Sequence, residues 1–126
     1  MAPPAAAYAH GVYVPTGFDL IVTSGVVPTA QDGSVPAKIR DQADLVWKNI
    51  LVILAEGKMV VRDIISVTTF VVNSADLQDR LQLVMSARDT ALGGHLAAST
   101  LVTVPALAKP EWLVEISVLA ARRPNS

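Results

Sequence analysis

Cysteine is absent from the 126-residue chain, which excludes disulfides, thiolate catalysis and Cys-ligated zinc and leaves the redox compartment open. Charge is also scarce. Charged residues make up 17% of the chain against 52% apolar, too few to coat a monomer of this size, so part of the surface is expected to lie against other copies of the chain. Neither sign dominates: ten basic and eleven acidic residues, mixed along the chain, leave a net charge of −1. Without a basic stripe, nucleic-acid binding through phosphate contacts has no electrostatic support. No run approaches the roughly 18 consecutive apolar residues of a membrane span, so no membrane partner is expected. The start MAPPAAAYAHG lacks the basic and apolar regions of a secretory leader. A soluble, cytoplasmic protein is the expectation. The two histidines, His10 and His95, stand far apart with no acid at ligand spacing, so no metal site is expected.

What is present reads as one domain over residues 1–126, with no repeat and no linker. GVYVP and DLIVTSGVV look like two short strands joined by the turn PTGF, a hairpin, followed by a loop with Asp32-Gly33 at its tip. From Ala37 to about Glu56 the apolar period changes to three and four, through Ile39, Ala43, Val46, Ile50 and Ile53, which predicts an amphipathic helix. Gly57 stands where a left-handed C-cap is usual. DIISVTTFVV is rich in β-branched residues and predicts a strand. Asp76 is placed to cap a second helix from Leu77 to about Leu92, stopped by Gly93-Gly94. Two more strands finish the chain, giving the order ββαβαββ and an α+β fold with helices on one face of a mixed sheet. The last strand reads apolar on both sides, so both sheet faces are expected to be buried, the second by self-association.

That last strand carries one carboxylate, Glu115. A lone acid in an apolar strand needs a partner, a wet cleft or a chemical role. A carboxylate in a half-buried cleft suits the aiming of water and the movement of a proton. The structural alternative is an acid satisfied by a backbone amide or by an arginine of a neighbouring subunit. Ser24 has no His/Asp motif around it, so a serine nucleophile is not indicated. Trp47 and Trp112 read as packing residues of core or interface.

Tyr8, Ser24-Gly25, Gln42, Asn49-Ile50, Leu54, Gly57, Asp63-Ile64, LAAST (Leu96 to Thr100) and VEI (Val114 to Ile116) follow one another in an order that resembles the Rid family, the reactive intermediate deaminases also called YjgF. The resemblance implies a chorismate-mutase-like fold and a homotrimer with a barrel of inner sheets and clefts between subunits. It implies hydrolysis of enamines and imines such as 2-aminoacrylate to keto acids and ammonia, with no cofactor. In such proteins an arginine clamps the substrate carboxylate, and the glutamate matching Glu115 positions the hydrolytic water. The entering tyrosine matches Tyr8, and main chain at Ser24 and Gly25 helps to orient the ligand. Here the arginine falls on Ala98, beside Ser99, and the residue after Ser24-Gly25, commonly glutamine, is Val26. Glu115 is expected in a cleft beside Ala98 on the adjacent strand. A larger or more apolar substrate is then implied, unless His95 or Arg88 supplies the missing cation; His10 is close to Tyr8 in the chain. Two readings stay open: an enamine/imine deaminase with a non-standard substrate, or a non-catalytic trimer binding a small metabolite in the same clefts. A ribonuclease role has been attached to some relatives, and the base-poor composition gives it no support here.

Overall fold

Residues 1–124 are described by a computed structural model. A four-stranded mixed sheet carries both helices on one face. Its strands are β1 (Asp19–Val22), β2 (Ile64–Val72), β3 (Ala98–Val104) and β4 (Val114–Arg122), in the order β1-β4-β2-β3. β4 is central and antiparallel to both β1 and β2, while β2 and β3 are parallel. A parallel pair cannot be closed by a tight turn. The connection is supplied by α2 (Leu77–Leu92), which follows β2 and precedes β3.

The first helix, α1 (Ile39–Glu56), buries Ile39, Ala43, Val46, Ile50 and Leu54 against the sheet, the expected three-and-four pattern with Leu54 taking the inner place ahead of Ile53. From β2 and β4 come Val67, Val71, Val114, Ile116, Val118 and Ala120. Each of the fully buried Ile, Leu and Val side chains contributes about 1.5–3 kcal/mol of burial free energy. Gln42 is the polar exception inside this layer. It is 1% exposed, donates to the carbonyls of Pro36 and Glu111 (2.8 Å each), and accepts from the N–H of Leu113 at 2.8 Å. One amide thus ties α1 to the start of β4.

Several expectations change. The hairpin does not form: residues 11–14 pair with nothing in the described chain, and Tyr13 is 85% exposed. The reason is the path of the N-terminal segment. Ala9 donates to the carbonyl of Ala97 at 3.0 Å and bridges Ala98, on the β3 edge, while β1 occupies the opposite edge of the sheet. Gly57 ends α1 without a left-handed backbone (φ −95°), and Lys58 takes the positive φ. Glycine is needed at 57 for another reason: a Cβ there would lie 2.4 Å from Cδ1 of Ile21 on β1. Asp76 occupies the N-cap of α2, yet its carboxylate bonds the Ser74 hydroxyl and pairs with Arg80, not with a helix N–H.

β4 alternates more than its sequence suggests. Val114, Ile116 and Val118 are buried toward the helices, whereas Glu115, Ser117 and Leu119 face the uncovered side. That side also presents Leu20, Val22 and Val102, exposed by 60%, 70% and 40%, so it mixes apolar and polar positions in place of the uniformly apolar surface expected.

Candidate functional site

β1 continues past Val22 as a bulged extension along β4. Thr23 still opposes Val118, its N–H donating to the Val118 carbonyl at 3.1 Å and its hydroxyl accepting from the Val118 N–H at 3.0 Å. The next bridge joins Val26 to Ile116 through bonds of 2.7 and 3.1 Å. From Thr23 to Val26 is three steps, whereas from Val118 to Ile116 is two, so Ser24-Gly25 contains the extra residue of a β-bulge. Bulges bend a strand and re-aim its groups, and they gather next to active sites.

The bulge lies beside Glu115. A Cβ at Gly25 would sit 2.1 Å from one Glu115 carboxylate oxygen (Oε2) and 2.9 Å from its Cγ, so the carboxylate rests directly on the glycine backbone. Only glycine permits that approach. Glu115 is half-buried, opposite Phe70 on β2, and among the described residues it makes no ion pair. The loop after the bulge is anchored by Asn49 of α1, whose amide donates to the carbonyls of Val27 (3.3 Å) and Thr29 (3.1 Å). Between this loop and α1 runs a groove of about 690 Å³ lined by Ser24, Gly25, Lys48, Asn49 and Val52. Asn49, Gly25's close approach and this groove were not singled out as site features from the sequence. The pairing of Asn49 with main-chain carbonyls leaves no sequence signal beyond its place on α1.

The remaining candidates fall elsewhere. Ala9, the residue after Tyr8, bridges Ala98, which sets the Tyr8 segment at the β3 edge; the Tyr8 ring packs edge-on to His10 with centroids 5.9 Å apart. Glu115 is not beside Ala98: β2 lies between β4 and β3. Ala98 is level with Ser66 and Leu119, and Glu115 with Phe70 and Val102. Four residues along the strand and two strands across make roughly 16 Å between them. Val26 pairs with Ile116 and is 7% exposed, so it belongs to the core and not to the face that carries Glu115. Arg88 is 6% exposed, bonds Ser99 Oγ at 3.3 Å and pairs with Asp89 at 3.0 Å, which uses its guanidinium on the helix side of β3. It is not positioned as a replacement clamp. The His95 ring is held by its Nε2 contact with the Ile64 carbonyl, 2.7 Å, at the end of the sheet. His10 contacts the carbonyl of Ala2 at 2.8 Å. One protomer therefore carries two separate groups: Tyr8 with Ala98, and Ser24-Gly25 with Glu115.

The profile of the family described as Endoribonuclease L-PSP matches residues 1–122. The chain belongs to this family, the Rid/YjgF proteins. Among curated Rid relatives, "Putative reactive intermediate deaminase TdcF" of Escherichia coli K12 is 40% identical over 75 residues, 56% of this chain. That match spans about half of the relative, 55% of its length. Over whole structures, E. coli TdcF with bound serine superposes with a TM-score of 0.74 at 31% identity, covering 93% of each chain. The YjgF gene product of E. coli gives 0.74 at 30% identity, covering 95% of this chain and 91% of its own. The Rid protein YyfB of Yersinia pestis reaches 0.80 at 22% identity, over 97% and 96% of the two chains, and supports the fold.

Proposed function

We propose that the protein hydrolyses a small enamine or imine to a carbonyl compound and ammonia, in clefts formed between copies of the chain. The observation that carries this reading is the Glu115 carboxylate, half-buried, without an ion pair among the described residues and seated on Gly25 at a bulge. An acid held this way is available to a ligand. Family membership and the likeness to a deaminase-named relative support the reaction class.

In the proposed step Glu115 accepts a proton from water as the oxygen attacks the imine carbon, and the C=N electrons go to nitrogen, which takes up a proton. The carbinolamine then collapses: Glu115 returns its proton to the amine, the hydroxyl oxygen forms the C=O bond as the C–N bond breaks, ammonia leaves, and the hydroxyl proton passes to solvent, balancing the one that the imine nitrogen took up. A positioned acid–base group contributes about 10²–10⁴-fold to such a transfer. Main chain at Ser24 and Gly25 orients the ligand, and Tyr8 and Ala98 of an adjoining copy form the opposite wall. Ala98 brings no charge to that wall, which favours a substrate that is bulkier or less dependent on a carboxylate. The same residue supports the second reading, a trimer that binds a metabolite without turning it over.

Deamination of freshly generated 2-iminopropionate by wild type, Ala98→Arg and Glu115→Gln decides between them. The wild type should run at least about ten-fold below an arginine-bearing relative, because a charge-assisted contact is missing. Ala98→Arg should raise the rate and Glu115→Gln should lower it by about 100-fold. Identical behaviour of all three would leave a binder.

A further inference from the structure

The chain has six arginines. Arg40, Arg80 and Arg88 each pair with a neighbouring aspartate, Asp44, Asp76 and Asp89. The other three, Arg62, Arg122 and Arg123, line one cavity of about 280 Å³ at the end of the sheet, and none makes an ion pair among the described residues. Topology brings them there. Arg62 lies in the short 3₁₀ turn (Val61–Asp63) that feeds β2, Arg122 ends β4, and the pairing of Ile64 with Ala120 brings the two segments to the same end of the sheet.

Like charges gathered at one end of a sheet repel one another. Nearby acids do not relieve this. Asp63 spends a carboxylate oxygen on the Val60 N–H at 2.9 Å, and Asp19, opposite Arg122 in the register, forms no ion pair with it. Arg122 donates to the Lys58 carbonyl, which fixes its side chain. Besides Asp63 and His95, the rest of the wall is aromatic and aliphatic: Tyr13, exposed at 85%, with Phe18 and Leu96. The guanidinium of Arg122 is thus turned toward Lys58, and the two exposed arginines that remain, Arg62 and Arg123, with a stacking surface in one concavity, suit a ligand with an anionic head and a flat apolar body. Arginine's planar fork matches carboxylate and phosphate, and it also stacks on aromatic faces.

We propose that this cavity is a binding site for a small organic anion, a carboxylate or phosphate on an aromatic or similarly apolar body. It lies seven residues along β4 from Glu115, about 23 Å, and does not depend on that residue's chemistry.

The test titrates the full-length protein with phenylacetate, phenyl phosphate, inorganic phosphate and benzyl alcohol, following backbone and side-chain NMR signals. Arg62→Gln/Arg123→Gln is the comparison, since both side chains are exposed and neither makes a hydrogen bond among the described residues; its melting temperature should match the wild type. Phenylacetate and phenyl phosphate should shift Tyr13 and Leu96, weaken as salt rises, and lose roughly ten-fold or more in affinity in the double variant. Benzyl alcohol should not bind, and inorganic phosphate should bind less tightly than its phenyl ester. The tighter of the two aromatic anions identifies the head group. Unchanged affinity in the double variant, shifts centred on Phe70 and Val102, or no binding of either aromatic anion would overturn the assignment.

Discussion

Glu115 and Gly25 act as a unit, because the carboxylate occupies the space a side chain at position 25 would need. The atoms a Gly25→Ala methyl would strike belong to the movable end of Glu115, not to backbone, so the fold has room to adapt. Gly25→Ala should therefore melt within a few degrees of wild type while losing about 100-fold in kcat, the scale of a displaced acid–base group. Glu115→Gln should match it, and thermal melts beside steady-state rates would show the pairing. A large fall in melting temperature with retained rate would mean that Gly25 serves the backbone alone. Much of this was legible in the sequence, since a lone carboxylate in an apolar strand stands out and Ser24-Gly25 precedes it in a familiar order. What could not be read was the contact between them. It depends on a one-residue bulge, and a bulge is set by pairing register, which no local pattern encodes. Arg88 failed as a clamp for a related reason. Its helical spacing was visible, but its bond to Ser99 on the helix side of β3 arises from how two elements pack.

At the scale of elements, α1, α2 and the three longer strands follow from periodicity and β-branching, because their apolar positions match what packing requires. The misjudged hairpin shows the limit: GVYVP has strand composition, yet a strand needs a neighbour, and the N-terminal segment is drawn to the far edge at Ala98. Gln42 shows a second limit, an inner-face polar residue whose partners come from loops 6 and 69 residues distant. Gln42→Leu keeps the volume but strands the Leu113 N–H and two carbonyls. The expected loss is about 2–4 kcal/mol, from unsatisfied buried groups at 1–3 kcal/mol each partly offset by water, read from urea midpoints. The start of α2 should respond to acid. The Ser74 hydroxyl holds the Asp76 carboxyl below its ordinary value against an opposing desolvation, with smaller lowering contributions from its own backbone N–H and from Arg80. A depressed folded pKa means that the contribution is present above the ordinary carboxylate value of about 3.9 and is lost as pH falls through the lower folded value. Amide exchange in the first turn of α2 should quicken over that acid range, and in Asp76→Asn the dependence should vanish.

For the whole molecule, the decisive fact is that the two groups of candidate residues lie roughly 16 Å apart on one free sheet face. No side-chain movement closes that gap, so the proposed cleft requires a second copy laid against the face. Leu20, Val22 and Leu119 are exposed there and supply the apolar contact such a copy would bury. Light scattering at micromolar concentration should report a trimer, and Leu119→Asp should give a folded monomer without activity. A stronger check follows from the proposed ring, in which each cleft would join the Tyr8–Ala98 end of one copy to the Glu115 end of the next. With 2-iminopropionate as the assay substrate, Glu115→Gln spoils one side of every cleft, and Ala98→Glu, which sets a negative charge against that substrate's carboxylate, spoils the other. Each variant alone should be nearly inactive. Unfolded together in equal amounts and refolded, they should recover activity, because random mixing pairs two intact ends in about a quarter of the clefts. Recovery toward a quarter of the wild-type rate can arise only if the ends come from different chains. If the mixture stays as inactive as its components while light scattering shows mixed trimers, the two ends do not meet across an interface, and Glu115 must work with groups of its own chain.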